Sequence, residues 1–548
     1  MSSPPPPASP SRARAPARGE WLEAGRMTLL SLALVAGIVV LFWGLQYPWA
    51  NDSVGYIQEA QGLFDGRGLT RATGWDVPDP AYAPFPLFPP GLSLAAAGVS
   101  LTGLSVAHAA LAVSWFAWLL VVPATAWAVR PLAGVHAARA VGVLAGVSPA
   151  FVEWGFQALS DAPLTLFSVL SLGLVTRAPA LADLPLRAWA LSGLLAGVAY
   201  LFRNAGAVLP LTVIALLALA LITQRLSFAA SLRAGLAWGA GFALCAFPLF
   251  AYNFVTFGSI QPYFGAHGTI DYGLPGAVRV SLWSLWLDLF AWRFVAELAW
   301  NGPALAALAP LGLAAGWLIL RRRQPAFPLA GGVLALYALI GCALVVWGRS
   351  RFDWVETSLT RQFMPYTWAL LALGAWALQR LAPSRWPAVG GLVLAGLLAG
   401  RAHLLWQNWT QQTALRDSVR AYGYAETAAR HPDAILTQRI RLDAAADAAL
   451  VARIRALPAD THLVTLNGGI LSVPAGRPLR PLAFDDVARL PALRARLGDR
   501  PLVLVALPGN ARLRQPDAQR WQADVLASLG GAGEILYRTP LALMVRVR

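Results

Sequence analysis

The sequence contains no lysine, so all 43 of its basic residues are arginine. This absence excludes Schiff-base chemistry, which needs a side-chain amine. Cysteine is scarce too: the two cysteines, Cys245 and Cys342, both lie within apolar segments, which argues against a disulfide framework and against a cysteine zinc site. Charge is also scarce, because 13% of the residues are charged while 57% are hydrophobic. This balance predicts a polytopic membrane protein rather than a soluble domain.

The arginines are distributed as expected for a membrane topology and are not gathered on one charged face. The formal net charge is +16, but the arginines are spread over short segments between apolar runs, where the positive-inside rule explains many of them. We therefore predict no nucleic-acid partner. Residues 1–26, rich in proline, serine and arginine, are predicted to be a disordered cytoplasmic tail. The expected location is a bacterial-type inner (plasma) membrane.

Residues 27–401 are predicted to form a mainly α-helical membrane domain with about eleven spans, and about thirteen at most. The first predicted span covers residues 27–46, whereas Leu92–Leu101 is too short to cross fully. The other predicted spans are residues 107–129, 137–152, 159–176, 189–202, 206–223, 232–254, 303–320, 327–347, 361–379 and 386–401. An odd number of spans, with a cytoplasmic N-terminus, places the C-terminus outside the cell.

Residues 402–548 are predicted to form a small extracytoplasmic α/β domain. Asn408–Arg430 is predicted to be a helix that leads away from the membrane. The segments HLVTLNG, RPLVLVALPG and GEILYRTPLALMVRVR are typical of strands, with helices expected at Ala444–Leu457 and Phe484–Leu497 between them. The sequence leaves open whether this domain binds an acceptor or stabilises the protein.

The first loop, residues 48–91, carries the strongest functional pattern. Asp52 lies just beyond the first span, and a carboxylate near a bilayer is a functional candidate because its burial is costly. Apolar residues from Tyr56 to Phe64 recur at spacings of three and four, which predicts an amphipathic helix on the membrane surface. The glycines Gly66 and Gly68 are expected to end this helix. The chain then returns to the membrane through Pro89-Pro90-Gly91.

This loop resembles the first extracytoplasmic loop of the GT-C glycosyltransferases, the polyprenyl-phosphate-sugar-dependent class that includes protein mannosyltransferases and aminoarabinose transferases. The resemblance rests on Asp52, Tyr56-Ile57-Gln58, Leu63–Gly68 and Pro89-Pro90 in that order. Four further stretches match in the expected sequence: QALSDAPLTLF around Asp161, LFRNAGAVLP around Arg203, FPLFAYNFVTFGSIQP around Asn253, and RQFMP from Arg361. The resemblance implies an inverting transfer of a sugar from a polyprenyl-phosphate donor in the bilayer to an acceptor hydroxyl.

The resemblance also implies roles for single residues. Asp52 would be the general base or would orient the acceptor, and Asp52 and Asp161 would together hold a divalent cation, Mg²⁺ or Mn²⁺. The residues that it implies bind substrate, above all the donor phosphate, are Tyr56, Arg203, Asn253 and Arg361. Arg349 and Arg351 are expected to bind substrate for another reason: together with Arg361 they lie outside the membrane against the positive-inside trend, which suggests a specific anionic partner. Simpler structural roles stay open. Asp161 could cap a helix, with Ser160 a rival for that position, and Arg203 could reach lipid head groups. Asp353 and Glu356 could simply pair with the arginines at 349, 351 and 361.

The sequence departs from the family pattern in two places. Ser53 stands where the family often has a second acid, and Tyr252 stands where an arginine is usual. Glu59 or Glu153 could replace the missing acid, although we expect Glu59 to lie on the solvated face of its helix. His267, in a predicted lid, is weak evidence for catalysis because single loop histidines are commonly just solvated.

Two other classes of function fit a polytopic protein. A transporter or flippase of lipid-linked sugars would have ionisable residues near the middle of the membrane and an internal repeat, whereas the charges here lie at the ends of spans. A non-catalytic subunit of envelope assembly would need no acid outside the membrane.

Overall fold

The computed structural model describes most of the chain. The described residues are 18–43, 45, 48–77, 81–85, 88–262, 273–292, 296, 329–350, 360–381, 386–422, 448–466, 471–482, 484–507, 518–539 and 542–548. The predicted span at 303–320 lies outside these ranges. Four residues that the sequence analysis considered also lie outside them: His267, Arg351, Asp353 and Glu356.

The described part is mostly helical, with a small sheet near the C-terminus. The helices of the membrane part are α1 (Arg18–Phe42), α2 (Asn51–Phe64), α3 (Gly91–Ser100), α4 (Val106–Gly146), α5 (Pro149–Trp154), α6 (Asp161–Thr176), α7 (Leu186–Phe202), α8 (Val208–Ile222), α9 (Phe228–Phe257), α10 (Gly273–Phe290), α11 (Leu329–Arg349), α12 (Met364–Leu381) and α13 (Trp386–Tyr422). A two-stranded hairpin, β1 (Thr70–Thr73) and β2 (Ala81–Pro84), interrupts the first loop. Short 3₁₀ turns form at Leu181–Asp183, Asn204–Ala207 and Arg361–Phe363.

The helices confirm a multi-pass membrane protein. Six helices within the described ranges are long and apolar enough to cross a bilayer. Three shorter apolar helices, α3, α6 and α7, accompany them. The ten residues of α3 agree with the prediction that this segment does not cross fully. The total of eleven to thirteen spans stays a prediction.

Some helix boundaries differ from those predicted. The first helix already begins at Arg18, within the segment predicted to be disordered. The spans predicted at 107–129 and 137–152 are largely joined in α4, whose backbone is broken at Gly134 by a φ of 73° and a ψ of 175°. The last predicted span and the helix predicted after it form one helix, α13, because no helix-breaking residue separates them.

Packing between helices sets the position of the charged ends. The largest core is built from α1, α4, α6, α7, α11 and α12, with the fully buried rings of Trp118, Trp189 and Trp368 among its members. Helix α6 begins at Asp161, and α7, which returns beside it, ends at Phe202. The start of one helix and the end of the next therefore lie at the same edge of the helical bundle.

The C-terminal part contains the predicted α/β domain. The strands are β3 (His462–Leu466), β4 (Arg480–Pro481), β5 (Leu502–Ala506), β6 (Gly533–Thr539) and β7 (Ala542–Val547). They form one sheet with the strand order β4-β3-β5-β7-β6, in which β4, β3 and β5 are parallel and β7 and β6 continue the sheet antiparallel. The helices are α14 (Ala448–Ala456), α15 (Ser472–Ala475), α16 (Leu490–Arg496), which follows a 3₁₀ turn at Phe484–Arg489, and α17 (Ala518–Ser528).

This domain packs directly on the first loop. One apolar cluster combines residues of α2, α3 and α4 with residues of α14 and the sheet. The carbonyl oxygen of Trp75, just after β1, lies 2.8 Å from His462 Nε2, and Arg480 donates to the carbonyl oxygen of Val77 at 2.7 Å. The C-terminal domain therefore holds the hairpin that follows α2.

Candidate active site

Four of the predicted site residues meet in one cluster of charges. Asp161 Oδ2 accepts hydrogen bonds from Arg361 Nε at 2.8 Å and from Arg203 Nη1 at 3.0 Å. A second nitrogen of Arg361, Nη1, lies 2.6 Å from Asp52 Oδ2. The structure therefore brings Asp52, Asp161, Arg203 and Arg361 together, and their roles in a reaction remain predictions.

Each charge lies at the end of a helix. Asp52 lies in the first turn of α2, and Asp161 is the first residue of α6. Arg203 follows the last residue of α7, with an extended backbone that turns the chain out of the helix. Arg361 opens the 3₁₀ turn that leads into α12. Charges at helix ends avoid the apolar middle of a bilayer, where they are most costly.

Two glycines allow the close backbone approaches on which this arrangement depends. A Cβ on Gly91, at the start of α3, would lie 2.5 Å from the carbonyl oxygen of Leu201, next to the end of α7. A Cβ on Gly206 would lie 2.7 Å from the backbone of Tyr200. Both contacts are too close for any other residue, so these glycines fix the turn that carries Arg203.

Neighbouring hydroxyl groups connect the two acidic segments. Ser53 Oγ accepts from the backbone of Ala50 at 2.9 Å and donates to the carbonyl oxygen of Ala158 at 2.8 Å. Tyr56, predicted to bind substrate, is fully buried, and its hydroxyl lies 2.8 Å from Ser160 Oγ. Because Ser53 and Tyr56 follow Asp52 within about one turn of α2 while Ala158 and Ser160 precede Asp161, these bonds fix the distance between the two acids.

The members of the cluster differ in their access to solvent. The side chains of Asp161 and Arg361 are 2% and 7% exposed, whereas those of Asp52 and Arg203 are 25% and 22% exposed. Arg361 also lies near the ring of Trp154, at 5.6 Å from its centroid. Its Nη2 atom is buried and has no hydrogen-bond partner among the described residues. A buried guanidinium nitrogen without an acceptor indicates a place for an anion.

The acids as they are placed here do not fit a divalent cation. The Oδ2 atoms of Asp52 and Asp161 both contact Arg361, and Asp161 Oδ2 also accepts a hydrogen bond from Arg203. A cation between the two carboxylates would be repelled by two guanidinium groups within a few ångströms. Among the described residues, no three His, Cys, Asp or Glu side chains group as metal ligands. The Mg²⁺ or Mn²⁺ site stays a prediction.

Two further residues that we expect to bind substrate have contacts that support turns of the chain, and their role in binding stays a prediction. Arg349 is 1% exposed and donates to Gln362 Oε1 at 2.8 Å and to Ser284 Oγ at 3.1 Å, so it supports the turn that carries Arg361. Asn253 donates to the carbonyl oxygen of Ile260 at 3.1 Å and thereby closes the turn after α9.

The expectation that Glu59 lies on a solvated helix face is wrong. Its side chain is buried, and Glu59 Oε2 accepts a hydrogen bond of 2.7 Å from Ser93 Oγ on α3. Burial raises the pKa of Glu59 to about 7, although the bond from Ser93 and the charge of Arg71 act in the opposite direction. The face that we took to be solvated is covered by α3 and by the turn after α9.

The sequence analysis did not single out two contributors to the site. Trp154 donates from its indole to Thr360 Oγ1 at 3.3 Å and lies beside Arg361, and Ser160 bonds to Tyr56 rather than capping α6. Ser160 was considered only as a helix cap. The one signal for Trp154 was its position at the end of a predicted span, where tryptophan is common in any membrane protein.

The fold is similar to those of several solved membrane-protein structures. Among solved structures, the aminoarabinose transferase ArnT of Cupriavidus metallidurans bound to undecaprenyl phosphate superposes with a TM-score of 0.58 at 16% identity, over 97% of this chain and 98% of that one. The same enzyme in its apo state gives 0.58 at 17% identity, over 95% and 98%. The oligosaccharyltransferase of Archaeoglobus fulgidus, in complex with zinc and sulfate, gives 0.52 at 14% identity, over 88% and 68%.

These comparisons confirm the predicted GT-C resemblance as a likeness of fold. By sequence, no protein-family model matches the chain, and a search of curated proteins finds no match either.

Proposed function

We propose that this protein is a glycosyltransferase that moves a sugar from a polyprenyl-phosphate donor to an acceptor hydroxyl at the extracytoplasmic surface of the plasma membrane. The observation that carries the proposal is the cluster in which Arg361 contacts both Asp52 and Asp161 while Arg203 contacts Asp161. The fold supports it, because ArnT in the structure bound to undecaprenyl phosphate has the same fold over nearly its whole length.

The two arginines provide a site for the donor phosphate. Arg203 is partly exposed, and Arg361 has a buried Nη2 that meets no hydrogen-bond acceptor in the described part of the chain. A phosphate oxygen at Nη2 would satisfy this nitrogen, and Arg203 would neutralise a second oxygen. As the sugar leaves, negative charge grows on the phosphate of the carrier, so the same arginines stabilise the transition state more than the ground state.

Asp52 is the acid best placed to meet the acceptor, because it is the more exposed of the two. When the donor phosphate engages Arg361, it competes with Asp52 for that guanidinium. The acceptor oxygen then bonds to the anomeric carbon, while the bond from that carbon to the phosphate oxygen breaks. The electrons of the broken bond stay on the carrier phosphate. The acceptor proton passes to the Asp52 carboxylate and from there to water.

Asp161 acts as a positioning residue in this scheme. It is 2% exposed, and one of its oxygens accepts from both arginines. Its carboxylate balances their charge before the donor arrives and holds both side chains in one orientation. Burying two guanidinium groups without such a partner would be strongly destabilising.

The proposed topology places this site outside the cytoplasm. Residues 27–401 form the membrane domain, with a cytoplasmic N-terminus, and residues 402–548 form a domain on the same side as the first loop. The supporting observation is that the C-terminal sheet contacts the hairpin after α2, whereas many of the remaining arginines lie in the segments at the opposite ends of the helices.

One experiment distinguishes a glycosyltransferase from a lipid transporter. Purified protein in detergent, where no membrane separates two compartments, is given an undecaprenyl-phosphate donor with a radiolabelled sugar. We expect release of label to an added acceptor or, slowly, to water. Binding of the labelled lipid without any release would contradict the proposal and favour a lipid transporter.

A further inference from the structure

Helix α10 carries a buried polar stripe that takes no direct part in the proposed transfer. Its members, Ser281, Ser284 and Asp288, recur at spacings of three and four residues, so they lie on one face of the helix. All three are buried, and Asp288 is 0% exposed. A carboxyl group is costly to remove from water unless it is hydrogen-bonded. Asp288 is therefore the member of the stripe that packing alone explains least.

The two oxygens of Asp288 hold two different helices. Its Oδ1 accepts a hydrogen bond of 2.7 Å from the backbone nitrogen of Ala150, in the first turn of α5. The first backbone N–H groups of a helix have no acceptor within it, so the carboxyl group supplies one. Its Oδ2 accepts from the hydroxyl of Thr367, in the first turn of α12. One side chain thus ties the start of α5 to the start of α12.

Both helices lead directly to Arg361. Helix α5 ends at Trp154, whose indole donates to Thr360 Oγ1 at 3.3 Å and whose ring centroid lies 5.6 Å from the guanidinium carbon of Arg361. The hydroxyl of Thr367 also lies 3.1 Å from the carbonyl oxygen of Phe363, in the 3₁₀ turn that Arg361 opens. A shift of either helix would therefore move this guanidinium relative to the two acids that it contacts.

The two serines of the stripe reach the same turn by a second path. Ser281 Oγ and Ser284 Oγ accept from Arg349 Nη1 at 3.3 and 3.1 Å. The Nε of Arg349 donates to Gln362 Oε1 at 2.8 Å, and Gln362 follows Arg361 in the chain. The polar face of α10 is therefore connected to the turn of Arg361 at both of its ends.

The end of α10 is itself fixed by Arg401 on α13. Its Nη2 donates to the carbonyl oxygen of Leu289 at 3.1 Å, and its Nε donates to that of Leu144, near the end of α4, at 3.2 Å. A cation is favourable at the C-terminal ends of helices, because their last carbonyl groups have no partner within the helix. Asp288 therefore lies on a helix end that is held firmly in the bundle.

We propose that Asp288 is a positioning residue for the transfer and that its two hydrogen bonds hold Arg361 in the orientation that binds the donor phosphate. The inference rests on the proposed function. A guanidinium that stabilises charge in a transition state must be in place before the reaction. A displacement of about 1 Å near the reacting groups can cost about 100-fold in rate. The carboxyl group of Asp288 therefore acts on the rate through Arg361 and takes no part in the chemistry itself.

Three substitutions test the hydrogen bonds of Asp288. Asp288→Leu removes both of them, so kcat for release of the labelled sugar should fall about tenfold or more in the folded protein. Asp288→Asn keeps an acceptor for the nitrogen of Ala150 and offers its amide to the hydroxyl of Thr367, so kcat should stay within about threefold. Thr367→Val breaks only the bond to α12 and serves where Asp288→Leu does not fold. Its kcat should fall several-fold.

A double-mutant cycle separates positioning from a merely structural role. In an Arg361→Lys background, Asp288→Leu or Thr367→Val should lower kcat by less than about twofold more, because the group that Asp288 positions is already lost. Thr176→Val is the control, since it removes a buried hydrogen bond to the carbonyl oxygen of Ala128 on another part of the bundle. It should lower the melting temperature and leave kcat of the folded protein unchanged in both backgrounds.

A second readout does not depend on transfer. Phenylglyoxal modifies accessible guanidinium groups, and peptide mass spectrometry measures each arginine separately. Arg361 is buried, so it should react slowly in the unchanged protein. In Asp288→Leu and in Thr367→Val we expect its modification to become several-fold faster, because the turn that carries it opens more often. The rate for Arg139, which pairs with Glu23 far from this turn, should not change.

The outcomes separate the two proposals. Failure of the unchanged protein to release sugar overturns the proposed function and the role of Asp288 in transfer with it. In an active protein, full activity of folded Asp288→Leu or of Thr367→Val overturns the positioning role alone. The same holds for losses that are equal in the two backgrounds, and for unchanged modification of Arg361. A loss in Asp288→Asn as large as in Asp288→Leu contradicts the proposal too, because the charge would then matter and not the hydrogen bonds.

Discussion

Asp161 and Arg361 form a buried ion pair with a distance of 2.8 Å between Asp161 Oδ2 and Arg361 Nε, although 200 residues separate them in the chain. The same guanidinium reaches Asp52 through a different nitrogen. A planar group with several fixed donors is needed for this double contact, because an ammonium group presents a single point of charge.

Arg361→Lys should therefore abolish most activity in a folded protein. A lysine at this position has rotating donors on a single nitrogen and offers no second, fixed nitrogen for a phosphate, so we expect kcat to fall about 100-fold or more. Sugar release from the labelled donor measures the effect. Arg67→Lys, in the exposed pair with Asp65, is the matched control and should keep activity within about twofold. Equal activity in the two variants would remove Arg361 from the mechanism.

Asp52→Asn tests the proposed base. The amide keeps the shape of the side chain and cannot accept the acceptor proton, so we expect transfer to fall about 100-fold, the typical effect of a lost general base. Because Asp52 is partly exposed, expression and thermal stability should change little. Asp65→Asn, at the other end of the same helix, should be as active as the unchanged protein. Near-normal transfer by Asp52→Asn would show that another group takes the proton.

Arg203→Met and Arg349→Met should fail in different ways. Arg203 is partly exposed beside the buried Asp161, so its loss should raise the donor KM about tenfold with a small loss of thermal stability. Arg349 is buried against Ser281, Ser284 and Gln362, so its loss should lower the melting temperature and kcat while the donor KM of the folded fraction stays within about threefold. A larger rise of the donor KM in Arg349→Met would support the predicted role of Arg349 in binding phosphate.

The charge cluster was predictable because its charged residues are unusual for their positions in the sequence. Asp161 and Arg203 lie at helix ends where the topology predicts few charges, and the resemblance placed Asp52 and Arg361 beside them. Arg349 also lies at a helix end where the topology predicts few charges, but its partners on α10 lie about 65 residues upstream. A sequence pattern within one segment gives no information on such a distant contact. From the sequence, an arginine that supports the fold therefore cannot be distinguished from one that binds phosphate.

Glu59 illustrates a second limit. Helical periodicity divides α2 into an apolar face and a polar face. Contact with a membrane surface explains how the apolar face is buried, but it does not explain burial of the polar face. The polar face is covered by α3 and by the turn after α9, whose positions depend on long-range packing. Most helices of the membrane part were predicted, since apolar length and arginine-bearing ends decide them locally, but α10 was not. The joining of two predicted helices in α13 was missed because a change of composition does not require a break in the helix.

The buried carboxyl group of Glu59 should make stability depend on pH. Its pKa is raised from 4.5 to about 7 in the folded protein, chiefly by burial, so between these values the folded state binds more protons than the unfolded state. Stability should then fall as pH rises from about 5 to 8. Glu59→Gln removes this titration, and its melting temperature should fall less over the same range. Parallel pH profiles for the two proteins would show that Glu59 is not the group responsible.

Arg480→Met tests whether the C-terminal domain holds the first loop in its active position. Arg480 is buried and donates to the carbonyl oxygens of Gly74 and Val77, and it lies 3.2 Å from His462 Nε2, which in turn contacts Trp75. Without these bonds several buried polar groups lose their partner, which costs about 1–3 kcal/mol each.

The hairpin follows α2 directly, so we expect both a lower melting temperature and a several-fold lower kcat in Arg480→Met. Arg546→Met breaks only an exposed pair with Glu534 on the same sheet and should change neither value. Limited proteolysis between Thr73 and Ala81 gives a direct readout, since a released hairpin is cut faster. An Arg480→Met protein with unchanged cleavage and full activity would show that the domain is not needed to position the loop.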